Sequence, residues 1–201
     1  MPSPADDIDV SLGWPEDMVP FHTHSCFYYA DEVTLRSSLS FARVGLDAPG
    51  EVGVIFADAS RHDSLLASLQ KGYQGEVATA LESGKLAVVG GAPTREELRS
   101  NVVAALDRAI AGGNHLIRFL GFIAWGKDGW PPESALLGFE AEVNAVIRNY
   151  PAVVICTYGV PNLSENQLVH GGLVTHPVVF LNNQVLTGNP FYVDPAVDKT
   201  A

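Results

Sequence analysis

Between His22 and Phe56 the chain spells a strand, a helix and a second strand, and this unit restricts the fold more than any other stretch. His22, His24, Cys26 and Tyr28 recur at every second residue, so on a strand they share one face. Leu35, Leu39, Ala42 and Leu46 follow at i, i+4, i+7 and i+11, the stripe of a helix with one apolar side. After a Gly50-Glu51 turn, Val52-Gly-Val-Ile-Phe56 is short, β-branched and almost wholly apolar, which is what a strand covered on both faces requires. Strand, helix, strand is the opening unit of an α/β domain.

The alternation continues. Ser60 to Leu69 reads as a short helix ended by Gly72, and a second short helix around Glu76–Leu81 ends at Gly84. Leu86–Val89 is a strand, and Thr94-Arg-Glu-Glu97 is a capping box that opens a helix with Leu98, Val102, Ala105 and Ala109 inward. His115–Trp125 is the next strand, and Pro131-Pro132 starts a helix through Leu136, Phe139, Val143 and Ile147. Ala152–Tyr158 is the most strand-like run, Ser164–Val174 is helical, and Val178–Leu181 with Val185–Thr187 form a hairpin over Asn182-Asn183. The expected architecture is three-layer α/β: a mostly parallel sheet flanked by helices on both faces, with a C-terminal antiparallel edge hairpin. Residues 1–20, with four prolines and five acidic residues, read as a loose N-terminal arm that Trp14 and Met18 fold back. Residues 21–193 read as a single domain and 194–201 as a tail.

In many such folds the first crossover cradles a phosphate, through a glycine-rich turn followed by Lys and Ser or Thr. Here the turn is Tyr28-Tyr29-Ala30-Asp31-Glu32-Val33-Thr34. It has no glycine, and two carboxylates stand where the lysine belongs. Asp31 caps the helix and repels a triphosphate. Gly45-Leu-Asp-Ala-Pro-Gly50-Glu51 lies between helix and strand and reads as a helix cap and turn. ATP hydrolysis is not expected.

Composition narrows the partners. A net charge of −11, with 12 Lys and Arg scattered along the chain, argues against direct contact with nucleic acid or an anionic membrane. No signal peptide and no bilayer-spanning run is read. Cys26 and Cys156, both inside apolar runs, suit a reducing cytoplasm better than a disulfide scaffold.

Ligands of open α/β sheets bind outside the carboxyl ends of the strands. Those ends carry Tyr28, Tyr29, Asp58, Gly90, Gly91, Trp125 and Tyr158, an aromatic lining suited to a small, largely apolar molecule. The candidate ligand-binding residues are therefore His24, Cys26, Tyr28, Tyr29, Asp58, Trp125, Tyr158 and His176. The face of His22, His24 and Cys26 also carries metal-ligand chemistry, which His176 or Cys156 could complete. Three ligands from one strand diverge, however, so the preferred reading is no metal, with Cys26 a buried small hydrophobe and His24 hydrogen-bonded. Either cysteine with a histidine and Asp58 would make a nucleophile and base, but mid-strand thiols in an acidic protein are poor nucleophiles. Glu140 and Glu142 read as a solvated helix face, with Glu140 the better placed to turn inward. His176, before Pro177, marks a helix end and is read as touching either the helix C-terminus or a ligand.

Several of these pieces, in this order, resemble the MEDS domain (methanogen/methylotroph, DcmR sensory domain) over about His22–Tyr192. They are His24-Ser-Cys26-Phe-Tyr-Tyr29, Gly45-Leu46, Gly50-Glu51, Trp125, Phe139-Glu140-Ala141, Cys156-Thr-Tyr158, Thr175-His176-Pro177 and Asn189-Pro190-Phe191-Tyr192. The chain departs from the family in having Gly121-Phe-Ile-Ala124 where an acidic residue is expected shortly before the tryptophan. The resemblance implies a RecA/KaiC-like domain without the phosphate loop, acting as a non-catalytic sensor of small hydrocarbon derivatives, with no cofactor. It implies a regulatory protein partner, since no output domain is read in the chain, and leaves a homodimer open. The alternatives are a ligand-free adaptor in a signalling or anti-sigma pathway and a metal- or thiol-dependent enzyme.

Overall fold

The computed structural model describes residues 9–13, 18–181 and 184–194. In chain order the strands are β1 (Asp9–Ser11), β2 (Met18–Pro20), β3 (His24–Tyr29), β4 (Glu51–Ala57), β5 (Leu86–Gly90), β6 (Leu116–Phe122), β7 (Ala152–Gly159), β8 (Val178–Leu181) and β9 (Gln184–Leu186). The α-helices are α1 (Glu32–Asp47), α2 (His62–Gly72), α3 (Val77–Glu82), α4 (Arg95–Ala111) and α5 (Leu136–Ile147), and a π-helix spans Gln167–Leu173. Seven strands make one sheet in the order β5-β4-β6-β7-β3-β8-β9. All neighbours in it run parallel except β8 and β9, which form the expected antiparallel edge hairpin. Among the described residues no helix is long and apolar enough to cross a membrane.

The two sheet faces follow from strand periodicity. On one face Phe27, Ile55, Leu120 and Ile155 pack under α1, α2 and α3. On the other, Cys26, Phe56, Phe119, Val154 and Cys156 pack under α4 and α5. Both faces are covered, so the central strands β6 and β7 are buried from end to end, and their runs carry little alternation. The opening strand–helix–strand unit is present, but β6 and β7 stand between its two strands.

Three features differ from the sequence reading. The segment read as a loose arm includes β1 and β2, an antiparallel pair whose Val10, Leu12 and Val19 are buried against the α1 side. Their alternation is only three residues long, too short to register as a period. Trp14 and the tail from residue 195 lie outside the described residues, and Met18 is exposed. The helix cap and turn expected within Gly45–Glu51 are present. The helix runs on to Asp47 and is capped at Ala48, while Gly50, at φ +71°, makes the turn. Finally, the helix read over Ser164–Val174 is a π-helix over Gln167–Leu173.

Gly45 has another task. A Cβ there would lie 2.7 Å from Arg118 Cδ. Arg118, on β6, is 2% exposed; its Nε donates to Glu51 Oε2, its Nη1 donates to the Ser11 carbonyl, and its guanidinium lies 5.2 Å from the centre of the Phe41 ring. One buried cation thus ties the N-terminal hairpin, β4, β6 and α1 together. Removing one partner of such a pair strands the other charge, whereas replacing both by apolar groups does not. Glu51→Ala should lower unfolding stability by about 3 kcal/mol or more, and Glu51→Leu with Arg118→Met should recover most of that loss. Urea titration of the two variants checks this, and a single variant as stable as wild type would contradict it.

Candidate functional site

Strand β3 sends His24, Cys26 and Tyr28 to the α5 side, because side chains alternate along a strand. Its parallel register with β7 sets Cys26 beside Cys156 and Tyr28 beside Tyr158. Helix α5 supplies the facing wall. Its inward stripe of Leu136, Phe139, Val143 and Ile147 is flanked on the same side by Glu140 and Asn144, and Glu140 has no solvent exposure at all. The π-helix closes the third side and delivers His176 just beyond its end. Gly171 and Gly172 permit that approach: a Cβ at Gly171 would lie 2.2 Å from Leu136 Cδ2, and one at Gly172 would lie 2.3 Å from the Tyr28 hydroxyl.

These elements bring together a buried polar cluster. His24 Nε2 lies 3.3 Å from Cys156 Sγ and 3.3 Å from Glu140 Oε2. His176 Nε2 lies 3.7 Å from Glu140 Oε2, and the two imidazole rings stand 4.1 Å apart. The Tyr158 hydroxyl is 2.7 Å from Glu140 Oε1 and 2.7 Å from the Gly171 carbonyl. Asn144 meets His24 Nδ1 through Oδ1 at 3.1 Å and donates from Nδ2 to the Thr175 carbonyl at 2.9 Å. One donor atom each from His24, Glu140, Cys156 and His176 lies within 4.8 Å of all the others.

Burial governs the protons here. It pushes the Cys156 thiol and the Tyr158 hydroxyl up from their ordinary values, and the Glu140 charge adds to both. Burial also pushes the Cys26 thiol and the Tyr28 hydroxyl up. His176 is driven down by burial and by the electrostatic influence of the neighbouring His24 ring, so its imidazole is neutral at pH 7. Neither free cysteine presents an accessible thiolate.

Beside the cluster lies a cavity of about 20 Å³ between the sheet and helices α4 and α5. Phe56, Phe119, Gly121, Phe139 and Val143 wall it, and Cys156 belongs to both its lining and the polar cluster.

The eight residues expected to line one site divide. His24, Cys26, Tyr28, Tyr158 and His176 share the α5 side, with Tyr28 donating to the Leu168 carbonyl. Tyr29 faces the opposite side and accepts from Arg61. Asp58 lies at the carboxyl edge, where it accepts from Ser60 and from Trp130 Nε1, and the Ser60 bonds hold its carboxyl below the usual range. Trp125 is buried against Trp130 and Phe139, and its Nε1 has no hydrogen-bond partner among the described residues. Trp130 lies so close to Gly91 that a Cβ there would meet its indole at 2.4 Å. The open mouth expected at the strand ends is thus filled by tryptophans, and the enclosed space lies deeper, on the sheet's face.

The trio of His22, His24 and Cys26 does not converge. His22 precedes the strand at φ 61° and turns its ring to the Ile147 carbonyl, and Cys26 lies outside the group of converging donors. Cys156, His176 and Glu140 join His24 instead. His176 meets the helix end, one of the two contacts expected of it: Nδ1 lies against the Gly172 carbonyl of the π-helix, while Nε2 faces the cluster. The expectation of a solvated face holds for Glu142, which pairs with Arg95 and Arg99, and Glu140, the better placed of the two to turn inward, is the one that is buried. Glu140 and Asn144 sit one position after Phe139 and Val143, on the flank of the apolar stripe that a core-facing helix also buries. That spacing was the available signal.

No curated protein matches the sequence significantly. Among solved structures, the KaiC-like protein of the hyperthermophilic archaeon Pyrococcus horikoshii superposes with a TM-score of 0.57 at 18% identity, covering 80% of this chain and 72% of that one. At that identity the likeness establishes a shared KaiC-like fold. The family model of the methanogen/methylotroph, DcmR sensory domain matches residues 23–177, which carry the polar cluster and the cavity, and the chain belongs to this MEDS family.

Proposed function

We propose that this MEDS domain is a non-catalytic sensor that takes a small, largely apolar ligand beside its polar cluster and passes the change to a regulatory protein. The observation that carries the reading is the cavity walled by Phe56, Phe119, Gly121, Phe139, Val143 and Cys156. Its volume of about 20 Å³ is on the order of one or two heavy atoms, and its walls offer an apolar guest contact without stranding a polar group. Membership of a sensory-domain family supports the same role.

Two features weigh against catalysis. The N-terminus of α1 is closed by its own side chain, since Asp31 Oδ1 accepts from Thr34 N at 2.8 Å, and no glycine turn precedes it. Both thiols are buried and held protonated. The negative net charge and the paired free cysteines favour a protein partner in a reducing cytoplasm over nucleic acid or membrane, with a homodimer among the candidate assemblies. A route outward exists in the π-helix, whose Leu168, Gly171 and Gly172 carbonyls are held by Tyr28, Tyr158 and His176, and which leads to the exposed Leu181 and Leu186 of the edge hairpin. Those exposed residues also favour the second reading, a ligand-free adaptor.

Xenon is a suitable probe of the cavity. Under xenon pressure the methyl resonances of Val102, Leu106 and Val143 should shift saturably. In Gly121→Ala the added methyl meets Phe56, Cys156 and Phe119 at 3.7–3.8 Å, fills the space without strain and should abolish the shift. Unshifted methyls in the wild-type protein would sink the ligand reading and leave the adaptor.

The cysteines give a separate check. At pH 7 a disulfide reagent should modify neither Cys26 nor Cys156 in the native protein and both after unfolding in urea. Fast reaction of the folded protein would restore the thiol-enzyme reading.

A further inference from the structure

We propose that His24, Glu140, Cys156 and His176 form a closed tetrahedral site for a divalent cation of the zinc type. A tetrahedron with metal–ligand bonds of about 2.0–2.3 Å has edges of about 3.3–3.8 Å. The donor separations along four of those contacts are 3.3, 3.3, 3.7 and 3.7 Å: His24 to Cys156, His24 to Glu140, His176 to Glu140, and Cys156 to Glu140. The side chains already stand at the spacing of ligands around such an ion.

The hydrogen bonds behind the donors select the same chemistry. The Gly172 carbonyl can only accept, so His176 Nδ1 carries the proton and Nε2 presents its lone pair to the cluster. The Thr175 carbonyl holds the Asn144 amide with its NH₂ outward, so Oδ1 faces His24 and His24 Nδ1 donates to it. Both imidazoles therefore aim an unprotonated Nε2 inward, each braced from behind by an oxygen, which is how metal-bound histidines are oriented. His176 Nε2 is wholly buried and has no hydrogen-bond partner among the described residues. A buried nitrogen without a partner needs an explanation, and a cation supplies one.

Charge and donor type agree. When the ion binds, a bond forms between the metal and Cys156 Sγ, the S–H bond breaks and its proton leaves to solvent. One thiolate and one carboxylate then neutralise the doubly charged ion, which a site without solvent exposure demands. Two imidazoles, a thiolate and a carboxylate match the borderline preference of zinc. Four protein donors leave no open position for a substrate water, so the ion is structural or regulatory. The site stands whether or not the neighbouring cavity takes a guest, although Cys156 would link the two.

The test uses the full chain, stripped by a chelator and refilled with cobalt(II) or zinc(II). One equivalent of cobalt should bind, with the intense visible bands of a tetrahedral ion and a near-ultraviolet thiolate charge-transfer band, and zinc should displace it. Cys156→Ala should lose the charge-transfer band and weaken zinc binding about 100-fold or more, while Cys26→Ala retains both. Asn144→Leu, altering only the brace behind His24, should weaken binding about 10-fold or more with the band intact. Folding of each variant is checked by circular dichroism. Should Cys156→Ala fail to fold, the wild-type spectrum decides. A folded wild-type protein that takes up no cobalt, gives no thiolate band, or shows an octahedral spectrum overturns the proposal. A band that survives Cys156→Ala overturns it too.

Discussion

A carboxyl group with no exposure to solvent, Glu140, sets the terms for this half of the molecule. Burying an unpaired carboxylate costs many kcal/mol, so its neighbours have to be polar and have to be placed. The Tyr158 hydroxyl meets one of its oxygens, and the two imidazoles and the Cys156 thiol gather round the other. Each neighbour is held in turn: His24 by Asn144, His176 by the Gly172 carbonyl, Tyr158 by the Gly171 carbonyl. A network of this kind is stabilising only when its members are satisfied together, which ties β3, β7, α5 and the π-helix into one unit.

The N-terminus of α1 lies apart from that unit. A phosphate-binding domain of this architecture uses the N-terminus of its first helix, with backbone N–H groups free to meet an anion. Here Asp31 occupies that terminus, and Thr34 holds its carboxyl below the usual range through backbone and side-chain bonds. The helix end is already satisfied, and Tyr28 and Tyr29 of the strand before it point to opposite faces of the sheet. The buried polar cluster of this chain lies on the α5 face of the sheet. At the carboxyl edge Trp125 packs on Phe139 and Trp130 is bonded to Asp58.

Most of the architecture was legible because its signals are local. Period-two and period-3.6 patterns located the strands and helices, the capping box at Thr94–Glu97 opened α4 where it should, and the terminal hairpin followed from its turn residues. The face shared by His24, Cys26 and Tyr28 is likewise a property of one strand. What remained hidden depends on the order of strands in space. Nothing in a single chain says that β7 pairs with β3, yet that register brings Cys156 beside Cys26 and Tyr158 beside Tyr28. The gathering of Glu140, Cys156 and His176 round His24 was therefore out of reach: His176 and Cys156 were named only as residues that could complete a set on the face of His22, His24 and Cys26, whose own ligands were expected to diverge. Glu140, the better placed of its pair to turn inward, was left out of the candidate site for a related reason. A charged residue next to an apolar stripe is usually solvated, and only the polar face of β7 opposite it reverses that preference.

The π-helix shows how the site is joined to the rest of the chain. A π-helix leaves its carbonyls out of step with the usual i to i+4 ladder, so some become free to accept from side chains. Leu168, Gly171 and Gly172 do so toward Tyr28, Tyr158 and His176, and Gly171 accepts from Thr175 as well. Holding this segment close requires glycine at both 171 and 172, where any side chain would strike Leu136 or Tyr28. The segment's geometry therefore depends on where the cluster's donors point. Any event that shifts the Tyr158 hydroxyl or rotates the His176 imidazole must move a π-helix carbonyl or lose its bond. On this side of the sheet β3, β7 and β8 each have a neighbour on both sides, and only β9 is paired on one side alone. Among the described strands on this side, β9 is therefore the least constrained one beyond the π-helix.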